Sequence, residues 1–267
     1  MIKKSISNLK QTFINVKKHY FLLLISSALE VLFFYVLTRL HVEIFRAAAT
    51  HIKEAQKIIQ SQVDKLAQTQ YGGLDNMLMG NADFAMQYHE IIKYIGIFLI
   101  GVAALWFVLR ALNWFIAHTI AGTKIIVKEF LKRFVMFSIL GFAALILILL
   151  AYTKMLSYAA FNPLPLINAK TAHVLFGIML ITLHYLLSTA FSLPKNSRFS
   201  DIKKIITRAK KIVPAFALSN LVLILLFIIP ALLGRNHKWL GLCIGLFATI
   251  PMITIARIYL INALKNK

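Results

Sequence analysis

Acidic residues are scarce in this chain, with nine Asp and Glu against 30 Lys and Arg among 267 residues. Six of the nine lie in one segment, residues 41–91, so elsewhere only Glu30, Glu129 and Asp201 can serve as an acid or a base. This scarcity argues against a hydrolase and against a site for multivalent cations, because carboxylates commonly act as the acid, the base or the ligands there. The sequence therefore predicts no catalytic residues and no metal ligands.

Cysteine is almost absent as well. Cys243 is the only one, so no disulfide bond within the chain is possible. The sequence has no Walker A loop, dinucleotide-binding glycine fingerprint, CxxC, HExxH or GxSxG motif. No two histidines have a close metal-ligand spacing such as HxxxH. We expect a protein without a cofactor and without enzymatic activity.

Long apolar runs are what the chain has in abundance, and 60% of its residues are hydrophobic. An apolar helix of about 20 residues matches the ~30 Å hydrocarbon core of a bilayer, where backbone groups must bond within the segment. The fold class predicted is therefore an all-α polytopic membrane protein with six transmembrane helices in three hairpins. The predicted spans are 19–40, 92–117, 133–154, 172–193, 213–233 and 239–262, and together they make residues 19–267 a single transmembrane domain.

Positive charge is distributed unequally between the two sides of these spans. With both termini on one side, that side carries 18 bases and two acids, and the other carries nine bases and six acids. The positive-inside rule then places both termini in the cytoplasm, and the strength of the bias favours a prokaryotic plasma membrane. Because the basic residues lie beside the spans, the expected partner is the bilayer with its anionic headgroups, rather than nucleic acid.

Two basic segments have the pattern of helices that lie in the headgroup plane. Residues 1–18 form a basic, amphipathic cytoplasmic segment. Residues 201–212 place isoleucines on one face and basic side chains on the rest, which predicts a cytoplasmic interfacial helix. Its predicted headgroup contacts are Lys203, Lys204, Arg208 and Lys211. A solvated connector with no lipid contact is the alternative.

Residues 41–91 are predicted to form a small helical cap outside the cytoplasm. No Gly or Pro interrupts His41–Tyr71, so one helix can run from the first span to about Gln70. Asn81 is placed to cap the helix that becomes the second span. Phe45, Ala48, Ile52 and Ala55 begin an apolar stripe that requires a neighbour. That neighbour is either a partner protein or the chain's own bundle.

A small set of polar residues lies near the middle of the spans. An ionisable group inside the membrane is a functional-site hypothesis by default, and Glu30 is the one carboxylate there. Two interpretations stay open: Glu30 pairs with an arginine as internal support, or the group binds a ligand or moves protons. The candidate site comprises Glu30, Arg110, His184, Asn220 and Arg257, and Asn113 is a further polar residue of the inner leaflet.

Pro214 and Pro251 lie in the predicted fifth and sixth spans, where a proline lacks a backbone N–H donor. Pro214 is expected in the first turn of the fifth span, where its missing N–H has no consequence. Pro251 lies inside the sixth span and would free the carbonyl of Phe247.

The function predicted from these observations is a non-enzymatic membrane component that acts through lipid or another membrane protein. The alternative is a small transporter or permease subunit that uses Glu30 and the polar residues of the inner leaflet. A membrane enzyme is the least favoured class.

Overall fold

The computed structural model describes residues 2–69, 81–161, 168–193, 209–236 and 238–265. Every element in these ranges is helical. The α-helices are α1 (Ile2–Lys18), α2 (Tyr20–Thr69), α3 (Ala82–Leu105), α4 (Ala111–Ile120), α5 (Val127–Phe161), α6 (Ala169–Ser192), α7 (Ala209–Asn236), α8 (Lys238–Ile244) and α9 (Ile250–Lys265). Two π-helical turns, Trp106–Arg110 and Gly245–Thr249, join α3 to α4 and α8 to α9.

Six helical segments in the described ranges are long and apolar enough to cross a membrane, which confirms the predicted fold class. They are Tyr20–Asp64, Ala82–Ile120, Val127–Ala159, Ala169–Ser192, Val213–Leu232 and Gly241–Lys265. α2 has 50 residues, so at 1.5 Å per residue it is roughly 75 Å long and far exceeds the hydrocarbon core. The first span and the segment after it are therefore one continuous helix, as the lack of Gly and Pro predicted.

Side-chain caps set the starts of two helices. The Asn81 side chain accepts a hydrogen bond from the Phe84 N–H at 2.9 Å, as predicted, and Asn168 caps α6 through the Thr171 N–H at 2.8 Å. The prediction for Pro214 was wrong. α7 already contains Ala209, so Pro214 lies inside the helix rather than in its first turn.

The chain divides into two compact units, one formed by Met1–Val31 with Leu109–Lys267 and the other by Leu32–Val108. In the first unit, α9 is central, since it packs against α1, α4, α6 and α7. The run Ile258–Ala263 is accordingly buried throughout. α5 and α6 form a hairpin whose end is filled by the stacked rings of Phe134 and Phe191, with centroids 4.6 Å apart.

Polar bonds hold together one end of this first unit. The His118 ring is fully buried, with Nε2 2.7 Å from the Phe191 carbonyl oxygen, which connects α4 to α6. Lys265 Nζ donates to the carbonyl oxygens of Ala121 and Gly122 at 3.3 and 3.0 Å, which connects the end of α9 to the end of α4. Gly122 has a φ of 67°, a left-handed conformation that glycine adopts at no steric cost.

The second unit is an antiparallel helical hairpin made by the later part of α2 and most of α3. A Cβ at Gly101 would lie 2.6 Å from Leu40 Cδ2, so the helices approach closely there. His51 Nδ1 is 2.7 Å from Gln87 Oε1. Ala48 and Ala55 are buried on the face that carries these contacts, so α3 is the neighbour of the predicted stripe. Phe45 was wrongly assigned to it, since 60% of Phe45 is exposed.

Part of the predicted interfacial helix lies outside the described residues. Lys203, Lys204 and Arg208 belong to that part, and Lys211 falls in the first turns of α7.

Candidate functional site: a buried carboxylate between two arginines

The side chain of Glu30 is fully buried and forms ion pairs with both arginines of the predicted site. Arg110 Nη1 pairs with Glu30 Oε2, and Arg257 Nη1 pairs with Oε1. Asn113 Nδ2 donates to Oε1 at 3.0 Å. Both carboxylate oxygens therefore have partners within the bundle, which is how a charge becomes tolerable in a low-dielectric interior.

Three helices each contribute two site residues, and each pair has helical spacing. Ser26 and Glu30 are four residues apart on α2, and Thr254 and Arg257 are three apart on α9. Arg110 ends the first π turn and Asn113 follows three residues later in α4. Residues at these spacings share a helix face, so each helix presents its pair to the same point. π turns occur frequently at functional sites.

A chain of hydroxyl and amide bonds extends the carboxylate's network. Ser26 Oγ donates to Asn113 Oδ1 at 2.8 Å and lies 2.8 Å from Thr254 Oγ1. The single hydroxyl proton of Ser26 is used toward Asn113, so Thr254 is the donor to Ser26. Asn113 accepts through Oδ1 and donates through Nδ2, which determines the orientation of its amide. The network connects α2, α4 and α9, and both polar side-chain atoms of Asn113 form hydrogen bonds in it.

The site carries more positive than negative charge. Glu30 contributes one negative charge and the two guanidinium groups contribute two positive ones. Among the described residues of this unit the only other acid is Glu129, which is exposed. The Arg257 guanidinium lies over the Trp114 ring, 5.4 Å from its centroid, and the negative face of an indole stabilises a cation.

His184 and Asn220 form a second polar group, between α6 and α7. His184 Nε2 lies 3.1 Å from Asn220 Oδ1, and His184 Nδ1 lies 3.4 Å from Ser188 Oγ. Asn220 Nδ2 also donates to the Phe216 carbonyl oxygen at 2.8 Å. The structure thus divides the predicted site residues into two groups: Glu30, Arg110 and Arg257 in one, and His184 and Asn220 in the other. Asn113 joins the first group through its hydrogen bond to Glu30.

Ser26, Thr254 and Trp114 belong to the first group and were not predicted to. Ser26 and Thr254 lie one helical turn from Glu30 and Arg257, so polar residues at that spacing were the available signal. Trp114 is 5% exposed, because its ring covers Arg257 and packs against Phe191.

Within the described ranges no group of three or more His, Cys, Asp or Glu side chains is placed to hold a metal ion. The contacts that the described residues of the site make are ion pairs and hydrogen bonds between protein side chains. Comparison of the chain with known protein families, with curated proteins and with solved structures gives no match.

Proposed function

We propose that the protein is a non-enzymatic, multi-pass membrane component that acts through contacts with lipid or with another membrane protein. The observation that carries the proposal is the closure of the Glu30 site. Glu30, Asn113, Ser26 and Thr254 are each 0% exposed, and the Arg110 and Arg257 side chains that pair with Glu30 are only 12% and 10% exposed. Ionisable side chains that carry ions or protons typically line a water-filled cavity, whereas this carboxylate is packed among protein side chains.

The surface of the protein supports the same proposal. A groove of about 580 Å³ between α7 and the last span is lined entirely by apolar side chains, among them Leu225, Phe247 and Met252. Such a surface suits acyl chains or another apolar helix, whereas a polar solute would lose its hydration there. We place the protein in a prokaryotic plasma membrane with both termini in the cytoplasm, because the connectors are strongly asymmetric in charge.

Water access to the site separates this function from transport. In a Cys243→Ala background, we expect Ser26→Cys and Thr254→Cys to resist a membrane-impermeant thiol reagent from both sides of a sealed vesicle. Both should react after denaturation, which shows that each thiol is competent. Gln11→Cys is the matched control, because Gln11 is exposed on α1 and should react in the folded protein.

Reaction of either buried thiol in the folded protein, from one side of the vesicle, would contradict the proposal. It would favour the alternative, a small transporter in which Glu30 and its partners line a water-filled path.

A further inference from the structure

The face of α1 that packs against the rest of the bundle is polar. Asn8 is 5% exposed and Thr12 is fully buried. Asn262 Nδ2, near the end of α9, donates to Thr12 Oγ1 at 3.0 Å, and Thr12 Oγ1 donates to the Asn8 carbonyl oxygen at 2.8 Å. The hydrogen bond between Thr12 and Asn262 therefore holds the polar face of α1 against α9. The exposed apolar residues of α1 lie on its other faces.

α1 and α2 are two helices that meet at His19, which belongs to neither. The hydrogen bond between Ser26 and Thr254 connects α2 to the last span, and the hydrogen bond between Thr12 and Asn262 connects α1 to it. α1 therefore lies against the end of α9 that carries Asn262.

The outer faces of α1 combine exposed apolar side chains with lysines. Ile6, Leu9 and Phe13 are 60%, 42% and 52% exposed and fall within about 60° on the helix. Lys10 and Lys17 border this arc, and both are exposed. Gln11 lies about 160° from Phe13, on the opposite side. No acidic residue precedes Glu30 in the chain, so nothing within α1 neutralises its lysines.

We propose that α1 lies in the headgroup layer of the membrane and binds anionic phospholipids. Ile6, Leu9 and Phe13 enter the boundary between headgroups and acyl chains, about 5–10 Å deep. Lys10 and Lys17 contact the lipid phosphates, while Gln11 faces water. This assignment rests on the proposed function and names the lipid that one part of the surface contacts.

The depth of α1 is tested on the full-length protein in nanodiscs containing phosphatidylglycerol. A spin label is placed at Phe13→Cys or at Gln11→Cys, each in a Cys243→Ala background. The label at position 13 should be accessible to oxygen and protected from a water-soluble nickel chelate, and the label at position 11 should show the reverse. Equal nickel accessibility at the two positions would overturn the proposal.

The lipid charge is tested with the double variant Lys10→Gln/Lys17→Gln. Wild type should melt at a higher temperature in phosphatidylglycerol than in phosphatidylcholine, with a difference that shrinks as salt rises. The double variant should lose most of that difference and keep the phosphatidylcholine melting temperature. A difference unchanged in the variant would show that these lysines do not bind the lipid.

The two proposals fail separately. If Ser26→Cys stays unlabelled while position 13 is exposed to water, the α1 assignment is wrong and the proposed function stands. If Ser26→Cys is labelled while position 13 is at acyl depth, the proposed function is wrong and α1 still binds lipid.

Discussion

At the scale of single residues, the Glu30 carboxylate is the counter-charge of two arginines at once. Removing the carboxylate leaves Arg110 and Arg257 buried together without the counter-charge that pairs with both, whereas removing one arginine leaves a neutral pair. Glu30 therefore contributes more to the stability of the fold than either arginine does, although all three side chains belong to one site.

We expect Glu30→Gln to lower stability by about 3–5 kcal/mol, the usual cost of removing one side of a buried ion pair. Arg257→Gln should cost less, because Glu30 keeps Arg110. Combining Glu30→Gln with Arg110→Gln and Arg257→Gln should recover part of the loss. Thermal unfolding in detergent measures all of these variants.

Glu129→Gln is the control for that series, since Glu129 is an exposed acid of the same unit and its replacement should leave the melting temperature unchanged. A melting temperature for Glu30→Gln equal to that of wild type would show that the ion pairs do not support the fold. A loss with Arg257→Gln larger than with Glu30→Gln would contradict the charge argument.

At the scale of helices, Pro230 leaves a backbone group of α7 to be satisfied. Pro230 has no N–H, so the Leu226 carbonyl loses its partner within α7. Thr249 of the second π turn replaces that partner, since its Oγ1 donates to Leu226 O at 2.8 Å. A side chain of the neighbouring segment thus compensates for the proline.

We expect Thr249→Val to lower the unfolding free energy by about 1 kcal/mol, in line with hydrogen bonds between transmembrane helices. In a Pro230→Ala background the residue-230 N–H can bond to Leu226 O, so Thr249→Val should cost clearly less. A double-mutant cycle on unfolding in detergent measures the coupling. Equal costs in the two backgrounds would mean that Thr249 does not compensate for Pro230.

The sequence predicts helices better than it predicts their details. The continuous α2 and the cap at Asn81 follow from local chemistry: no breaking residue from His41 to Tyr71, and an amide side chain at a helix start. The π turn at Trp106–Arg110 contains no Gly or Pro to signal it. The pairing of His184 with Asn220 depends on how α6 and α7 pack, which neither helix encodes alone.

At the scale of the whole molecule, the depth of the charged residues explains why the Glu30 site was predictable in part. Glu30 is ten residues into α2, and Arg110 and Arg257 lie ten and eight residues before the ends of α4 and α9. Because these three charged residues lie at similar depths in their spans, the sequence alone made both arginines candidate partners of Glu30. That both bind the same carboxylate follows only from the packing of three helices.

The orientation of the protein in the membrane is tested by cysteine labelling in a Cys243→Ala background. We expect Ile125→Cys to react with an impermeant reagent only from the cytoplasm, and Gln60→Cys only from outside, because basic residues concentrate on the first side. Labelling of both positions from the same side would contradict the six-span topology. Labelling of each from the opposite side would reverse the orientation.

The Glu30 site also implies an order of assembly. Arg257 is synthesised roughly 150 residues after Arg110, a delay on the order of ten seconds at ordinary ribosomal rates. During that interval Glu30 and Arg110 can already form a neutral pair. The helices that carry them can therefore reside in the membrane before α9 is made without an isolated charge. The surplus cation, Arg257, enters after them and meets the ring of Trp114, which is already in place on α4. A nascent chain stopped before α9 should therefore be a tolerable intermediate, and insertion of α9 should be the step that completes the Glu30 site.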